Sequence, residues 1–137
     1  MTLRPYQTAD EAAVSGLWRE GGMMRWSDSR KDMARKMRVH PEWLLVGESD
    51  GRGMATCMIG SEGHRGRINL RAVAPPWQGG GLGRARLAEV ERILRAEGGA
   101  KINRPVRAIR TRVIAFDEKR GFATEDFANL GKRLVDD

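Results

Sequence analysis

The chain is poor in the residues that carry several kinds of chemistry. Its single cysteine, Cys57, cannot close an internal disulfide, and with only His40 and His64 beside it there is no metal-ligand cluster at a recognisable spacing. Aromatic residues make up 6% of the sequence, too few to interleave with basic residues as single-strand nucleic-acid platforms require. No apolar run approaches the roughly 18 residues of a membrane span. The N-terminal "MTLRPYQTADEAA" has neither the apolar core nor the small-residue cleavage site of a secretory signal, so the cytoplasm is the expected compartment. Acidic residues are outnumbered 18 to 25, giving a net charge of +7 and a pI near 10.5. An anionic partner is implied, whether nucleic acid, ribosome or a phosphate-bearing cofactor, and charge by itself does not choose among them. The 137 residues contain no internal repeat, low-complexity tract or dividing linker, so residues 1–137 are read as one domain.

Hydrophobic spacing orders the elements. Leu3 to Gln7 reads as an extended start. "TADEAAVSGLWRE" comes next as a helix, with Thr8, Asp10 or Ser15 as cap and Ala13, Val14, Leu17 and Trp18 on one face. "SDSRKDMARKMRVHPEW" predicts a second helix, capped by Ser27 or Asp28 and stopped at Pro41. "WLLVGESDGRGMATCMIG" is two apolar runs around Ser-Asp-Gly, the chemistry of a hairpin, and "GRINLRAVAP" is a further strand ending at Pro75. Leu87, Val90 and Leu94 then recur at helical spacing, with Gly98-Gly99 as the stop. A short strand, "KINRPVRA", a helix, "TRVIAFDEKRGF", ended by Gly121, and a last strand, "DFANLGKRLV", complete an α/β (α+β mixed-sheet) order of β α α β β β α β α β.

"PPWQGGGLGRAR", residues 75–86, concentrates four glycines at a helix start. Without side chains, successive backbone N–H groups can close around phosphate oxygens, and the helix N-terminus adds partial positive charge. The same glycines would also serve a tight strand-to-helix turn needing unusual dihedrals. The P-loop pattern fails for want of Gly-Lys-Ser/Thr, and the dinucleotide pattern fails because Arg84 and Arg86 stand where it needs other residues. A phosphate cradle of another kind remains. Arg104, Arg107, Arg110 and Arg112 could line an anion site or form a solvated face. "GESDG" spells the nucleophile elbow around Ser49, but that motif opens a helix, and here a strand comes after it; a hairpin turn is the expectation.

"LRAVAPPWQGGGLGRARLAEVE" resembles the acetyl-CoA signature of the GNAT superfamily of N-acetyltransferases, a strand ending in (A/G)-V-x-P followed by (R/Q)-x-x-G-x-(G/A) at a helix start. Gln78, Gly81 and Gly83 hold its defining positions. "RWSDSRKDMARKM", "GHRGRINLRAVAP", "VIAF" before "GF", and "LGKRL" extend the likeness over nearly the whole chain, toward the small bacterial branch typified by YpeA and related to RimI.

The resemblance implies that the strand ending near Val73 splays from its neighbour. Backbone groups at Arg71, Ala72 and Val73 would then pair with a pantetheine arm, and Pro105, lacking an N–H, suits such a splay. It implies that Gln78, Gly79, Gly80, Gly81, Leu82, Gly83 and Arg84 hold the pyrophosphate, with Arg110 standing where the family has a cofactor-contacting Asn. It implies that acetyl-CoA is a co-substrate, that no metal takes part, and that the Val73 backbone N–H polarises the thioester carbonyl. Asp117 stands at the family's Tyr, the group that protonates the departing thiolate. An Asp is mostly ionised at neutral pH, and so a poor donor, unless burial raises its pKa. Glu48, at the end of a central strand, reads either as a general base or as a solvated hairpin residue; Trp26, Asp28 and Trp43 flank the region where the family admits its acceptor, and the two tryptophans also read as core packing.

The function implied is direct transfer of acetyl to a primary amine, whether a protein N-terminus, a lysine or a small amine. Two other readings stay open: a catalytically weak acetyl-CoA-binding sensor or regulatory module, motivated by Asp117 and Arg110, and a basic RNA- or ribosome-binding protein, motivated by the pI. The expected partners are acetyl-CoA and the acceptor, with no membrane and no nucleic acid; oligomeric state is not legible, and a homodimer stays open.

Overall fold

The computed structural model describes residues 2–21, 28–50, 52–74, 81–126 and 128–136. Among these residues, five strands form one sheet in the order β1-β2-β3-β4-β5: β1 Thr2–Pro5, β2 Leu44–Ser49, β3 Arg52–Ser61, β4 Arg65–Val73 and β5 Lys101–Asn103. The first four pair antiparallel, and β5 runs parallel to β4. A parallel neighbour needs a crossover, here supplied by helix α3, Leu82–Ala96. Helices α1, Glu11–Glu20, and α2, Ser29–Val39, precede β2, and α4, Thr111–Glu118, comes after β5. No helix among the described residues is long and apolar enough to cross a membrane.

Alternation along the strands builds a core on each face of the sheet. Leu44 and Val46 pack with Tyr6, Val14, Leu17, Trp18 and Met33 from the side of α1 and α2. Trp43, Leu45, Cys57, Ile59 and Ile68 pack with Leu87, Val90 and Leu94 of α3 on the other. Gly66 lets α3 sit this close, because a Cβ there would overlap the end of Leu94. Local chemistry sets the boundaries. Asp28 caps α2, accepting from the N–H groups of Arg30 (2.8 Å) and Lys31 (3.3 Å). Gly98, with φ of +80°, stops α3, and Gly121, with φ of +92°, lies just past α4. Ser49 pairs with Arg52 across a tight turn in which Asp50 has φ of +53°, so the "GESDG" spelling belongs to a β-hairpin.

Two expectations are corrected. The strand expected over "KINRPVRA" is only Lys101–Asn103, ending before Pro105. The last strand, expected over 126–135, is not formed among the described residues. Its leucines fall four apart, not two, and both Leu130 and Leu134 face solvent, so burial gives no reason for pairing. The chain after α4 meets the open edge of β5 through a side chain instead: Glu125 pairs with Lys101 and accepts from Asn103 Nδ2 at 2.9 Å.

Arg4 joins the N-terminal strand to its neighbours. Its guanidinium donates to Asp10 (2.8 and 2.9 Å) and Glu48 (3.0 Å), and Asp10 also accepts from the N–H of Gln7 at 2.7 Å. These contacts, the Arg4 hydrogen bond foremost, hold both carboxyls below their ordinary values. Lys101 and Arg92 do the same for Glu125 and Glu89. Groups depressed in the fold contribute stability above the unfolded carboxylate range near ~4 and lose it as pH falls through the folded values. Melting temperature is therefore expected to drop below about pH 4, and Arg4→Met to reduce that acid-dependent drop; equal slopes for the two proteins would remove Arg4 from the account.

Candidate active site

The site begins where β4 and β5 part. β5 pairs only with Arg65, Gly66 and Arg67, at the start of β4. From Ile68 to Val73, β4 has β3 on one side and no strand on the other among the described residues. Pro105, two residues past β5, offers no N–H to continue the ladder.

A bulge lies in the half of β4 that, among the described residues, pairs with β3 and not with β5. Asn69 faces Met58 and Ala72 faces Thr56, so Leu70 and Arg71 together oppose Cys57 alone. The extra residue reverses the facing of the rest of the strand, which is why Ile68 packs on the α3 side and Ala72 on the α1 side. Both layers hold this point. Trp18 Nε1 donates to Thr56 Oγ1 at 2.8 Å, and Arg86 Nη1, from α3, donates to the carbonyls of Thr56 (3.0 Å) and Ala72 (2.7 Å).

Beside this strand end is the start of α3. Its N-cap, Gly81, has φ of +83°, open space where a Cβ would stand, and, among the described residues, no side-chain cap. First-turn N–H groups lack intrahelical acceptors, so this end favours an anion. Gly83 lies against α4, its would-be Cβ 3.0 Å from Phe116 Cζ, and Arg84 is exposed on the same turn. Arg110, the N-cap residue of α4, is exposed and reaches the carbonyl of Gly21 at 3.5 Å. Asp117 is buried and ion-paired with Arg104, the residue after β5. Both line a cavity of about 1070 Å³ between α3, β5, α4 and the chain beyond.

The structure thus sets the end of β4, with Arg71, Ala72 and Val73, near the start of α3, with Gly81, Leu82, Gly83 and Arg84, through Arg86, and places Gly83 against α4 through Phe116; Asp117 instead lines the cavity beside β5, and Arg110 reaches Gly21. Gln78, Gly79, Gly80 and Trp26 lie outside the described residues. Glu48 is tied to Arg4, Asp28 caps a helix, and Trp43 is buried in the α3-side core, its ring centroid 4.3 Å from that of His40. Of the four clustered arginines, Arg107, Arg110 and Arg112 are exposed and Arg104 is not. Arg86 and Thr56 escape a motif search. Arg86 does carry a periodic signal, since it stands four and eight residues before Val90 and Leu94 and so on the buried stripe of α3. Among the described residues no group of three or more His, Cys, Asp or Glu could hold a metal ion.

The profile of the acetyltransferase (GNAT) family matches residues 11–122. The chain belongs to the GNAT acetyltransferase family. An acetyltransferase of Yersinia enterocolitica is 36% identical over 138 residues, covering all of this chain and 98% of its own. Among solved structures, the GNAT fold is shared with the ribosomal-protein-S18-alanine N-acetyltransferase of Escherichia coli, at TM-score 0.73, 24% identity, 88% of this chain and 76% of that one. A Salmonella typhimurium protein assigned as an acetyltransferase and solved with its cofactor acetyl-CoA matches at TM-score 0.71 and 23% identity, over 89% of this chain and 79% of the other. The parted β4 and β5 and the glycine-opened α3 thus sit in a GNAT frame.

Proposed function

We propose that this chain transfers the acetyl group of acetyl-CoA to a primary amine. The observation that carries the proposal is a strand end with β3 as its one neighbouring strand, set beside a helix N-terminus with no side-chain cap, both among the described residues. The residues present suit the co-substrate: the edge of β4 can pair with the amides of a pantetheine arm, and Gly81 leaves room for phosphate oxygens at first-turn N–H groups. Arg84 and Arg110 add to that cradle in this reading, as do Gln78, Gly79 and Gly80 by the sequence pattern alone. Bound acetyl-CoA supplies an activated thioester. The chain's own tasks are then to polarise the carbonyl through the Val73 N–H and to hold a positive group near the departing sulfur. Arg104 is that group, and Asp117 acts through it by fixing the guanidinium.

A protein N-terminus, a lysine or a small amine fits as acceptor. The chain's charge of +7 disfavours a strongly basic one unless acidic residues line its path. The Asp117–Arg104 pair also favours a second reading, an acetyl-CoA-binding module with slow transfer, because an ion-paired carboxylate has no proton to donate.

The test is thermal melting with acetyl-CoA, with ATP and NAD as phosphate-bearing controls. Ligand at 100 times its dissociation constant stabilises by about 2.7 kcal/mol, a rise of several degrees for a domain of this size. A rise specific to acetyl-CoA supports both readings and an amine panel then separates them; no rise at millimolar acetyl-CoA overturns both.

A further inference from the structure

We propose that Arg86 is a positioning residue that staples the β4 bulge and sets the Ala72–Val73 peptide for acetyl transfer. The inference rests on the acetyl-CoA function proposed above. Arg86 lies on the buried stripe of α3 and is 5% exposed, a place where a helix packed on a sheet ordinarily carries an apolar side chain. A guanidinium there is costly to desolvate unless hydrogen bonds offset the lost water. Arg86 Nη1 donates to two main-chain carbonyls on two strands, Thr56 of β3 at 3.0 Å and Ala72 of β4 at 2.7 Å. These two residues face each other immediately beyond the doubled pair, Leu70 and Arg71, that opposes Cys57. A bulge interrupts the ladder that would otherwise fix both strands, and Arg86 supplies the missing tie from the side.

The consequence for chemistry comes from one peptide unit. The Ala72 carbonyl and the Val73 N–H belong to the same trans peptide, so they point in opposite directions. Turning the carbonyl toward Arg86 fixes where the N–H points. A charged donor on that carbonyl also polarises the amide and strengthens its N–H as a donor. Arg86 therefore orients and strengthens the group proposed to polarise the thioester carbonyl, without touching the substrate. Because the same side chain grows from the second turn of α3, it also fixes the distance between the strand end and the helix start that frames the phosphate cradle.

The test uses the full chain with Arg86→Met, which keeps the volume and removes the charge and both hydrogen bonds, and Arg86→Lys, which keeps the charge but not the forked geometry. Arg86→Met is expected to bind acetyl-CoA within about threefold of wild type by calorimetry while kcat falls roughly 10- to 100-fold, short of the 10²–10³ seen when an oxyanion donor is removed outright. Its Val73 amide should move in the ¹⁵N–¹H spectrum and exchange faster with solvent. Arg86→Lys should recover part of both changes, and it carries the test should Arg86→Met fail to fold. An unmoved Val73 amide, or an unchanged kcat, overturns the staple; so does a loss of affinity equal to the loss of kcat, which would make Arg86 part of the binding site. Should wild type itself bind no acetyl-CoA, the proposed function fails and the Val73 amide still decides the staple.

Discussion

Trp18→Ala is expected to cost about 3–5 kcal/mol, the range for emptying a buried aromatic site. Trp18 is fully buried between α1 and the sheet, among Val14, Leu17, Met33 and Val46. Its indole N–H also donates to Thr56 Oγ1 at 2.8 Å, inside a core where Thr56 is 1% exposed. Truncation therefore opens a cavity and takes the indole donor from a buried hydroxyl. For a chain of this length the melting temperature should fall on the order of 10–20 °C. Trp18→Phe separates the two causes: most of the volume stays, the hydrogen bond goes, and the cost should shrink to about 1–2 kcal/mol. Urea and thermal melts of both variants check this; Trp18→Ala within about 1 kcal/mol of wild type would mean that α1 is not the anchor of that face.

The elements legible in the sequence are those fixed by local chemistry. Leu87, Val90 and Leu94 at helical spacing give α3, and each is buried as that spacing requires. Asp28 before a run of helix formers gives the cap of α2, and Ser-Asp-Gly gives the hairpin after Ser49. The features that position the site are less legible because non-local contacts set them. Nothing in "NLRAVAP" marks Leu70 and Arg71 as a bulge, since the bulge is a relation between β4 and its partner β3. Arg104 and Asp117 are 13 residues apart, and only the return of α4 onto the end of β5 brings them together. Arg86 is the intermediate case: its periodicity is local, but its partners lie on two other elements. "DFANLGKRLV" shows the opposite failure, a stretch read as a strand whose described apolar residues Leu130, Leu134 and Val135 are exposed and give pairing no buried face.

Replacing either member of the Asp117–Arg104 pair alone is expected to cost about 3–5 kcal/mol, because a buried charge would lose its partner. Their side chains are 6% and 11% exposed, so water screens little of the interaction. Asp117→Leu and Arg104→Met are the single variants; the double variant, with neither charge left, should regain most of the lost stability, and the cycle gives the coupling directly. Activity then separates the two readings of the site. If Arg104 stabilises the departing sulfur, the stable double variant loses kcat by about 10-fold or more while its acetyl-CoA affinity holds. If the pair is only structural and transfer is slow for want of a proton donor, Arg104→Met combined with Asp117→Tyr should raise kcat, by up to the 10²–10⁴ that a well-placed acid supplies. The second result would make the ion pair the reason this GNAT chain transfers slowly; the first would make the same pair its substitute for the family's tyrosine.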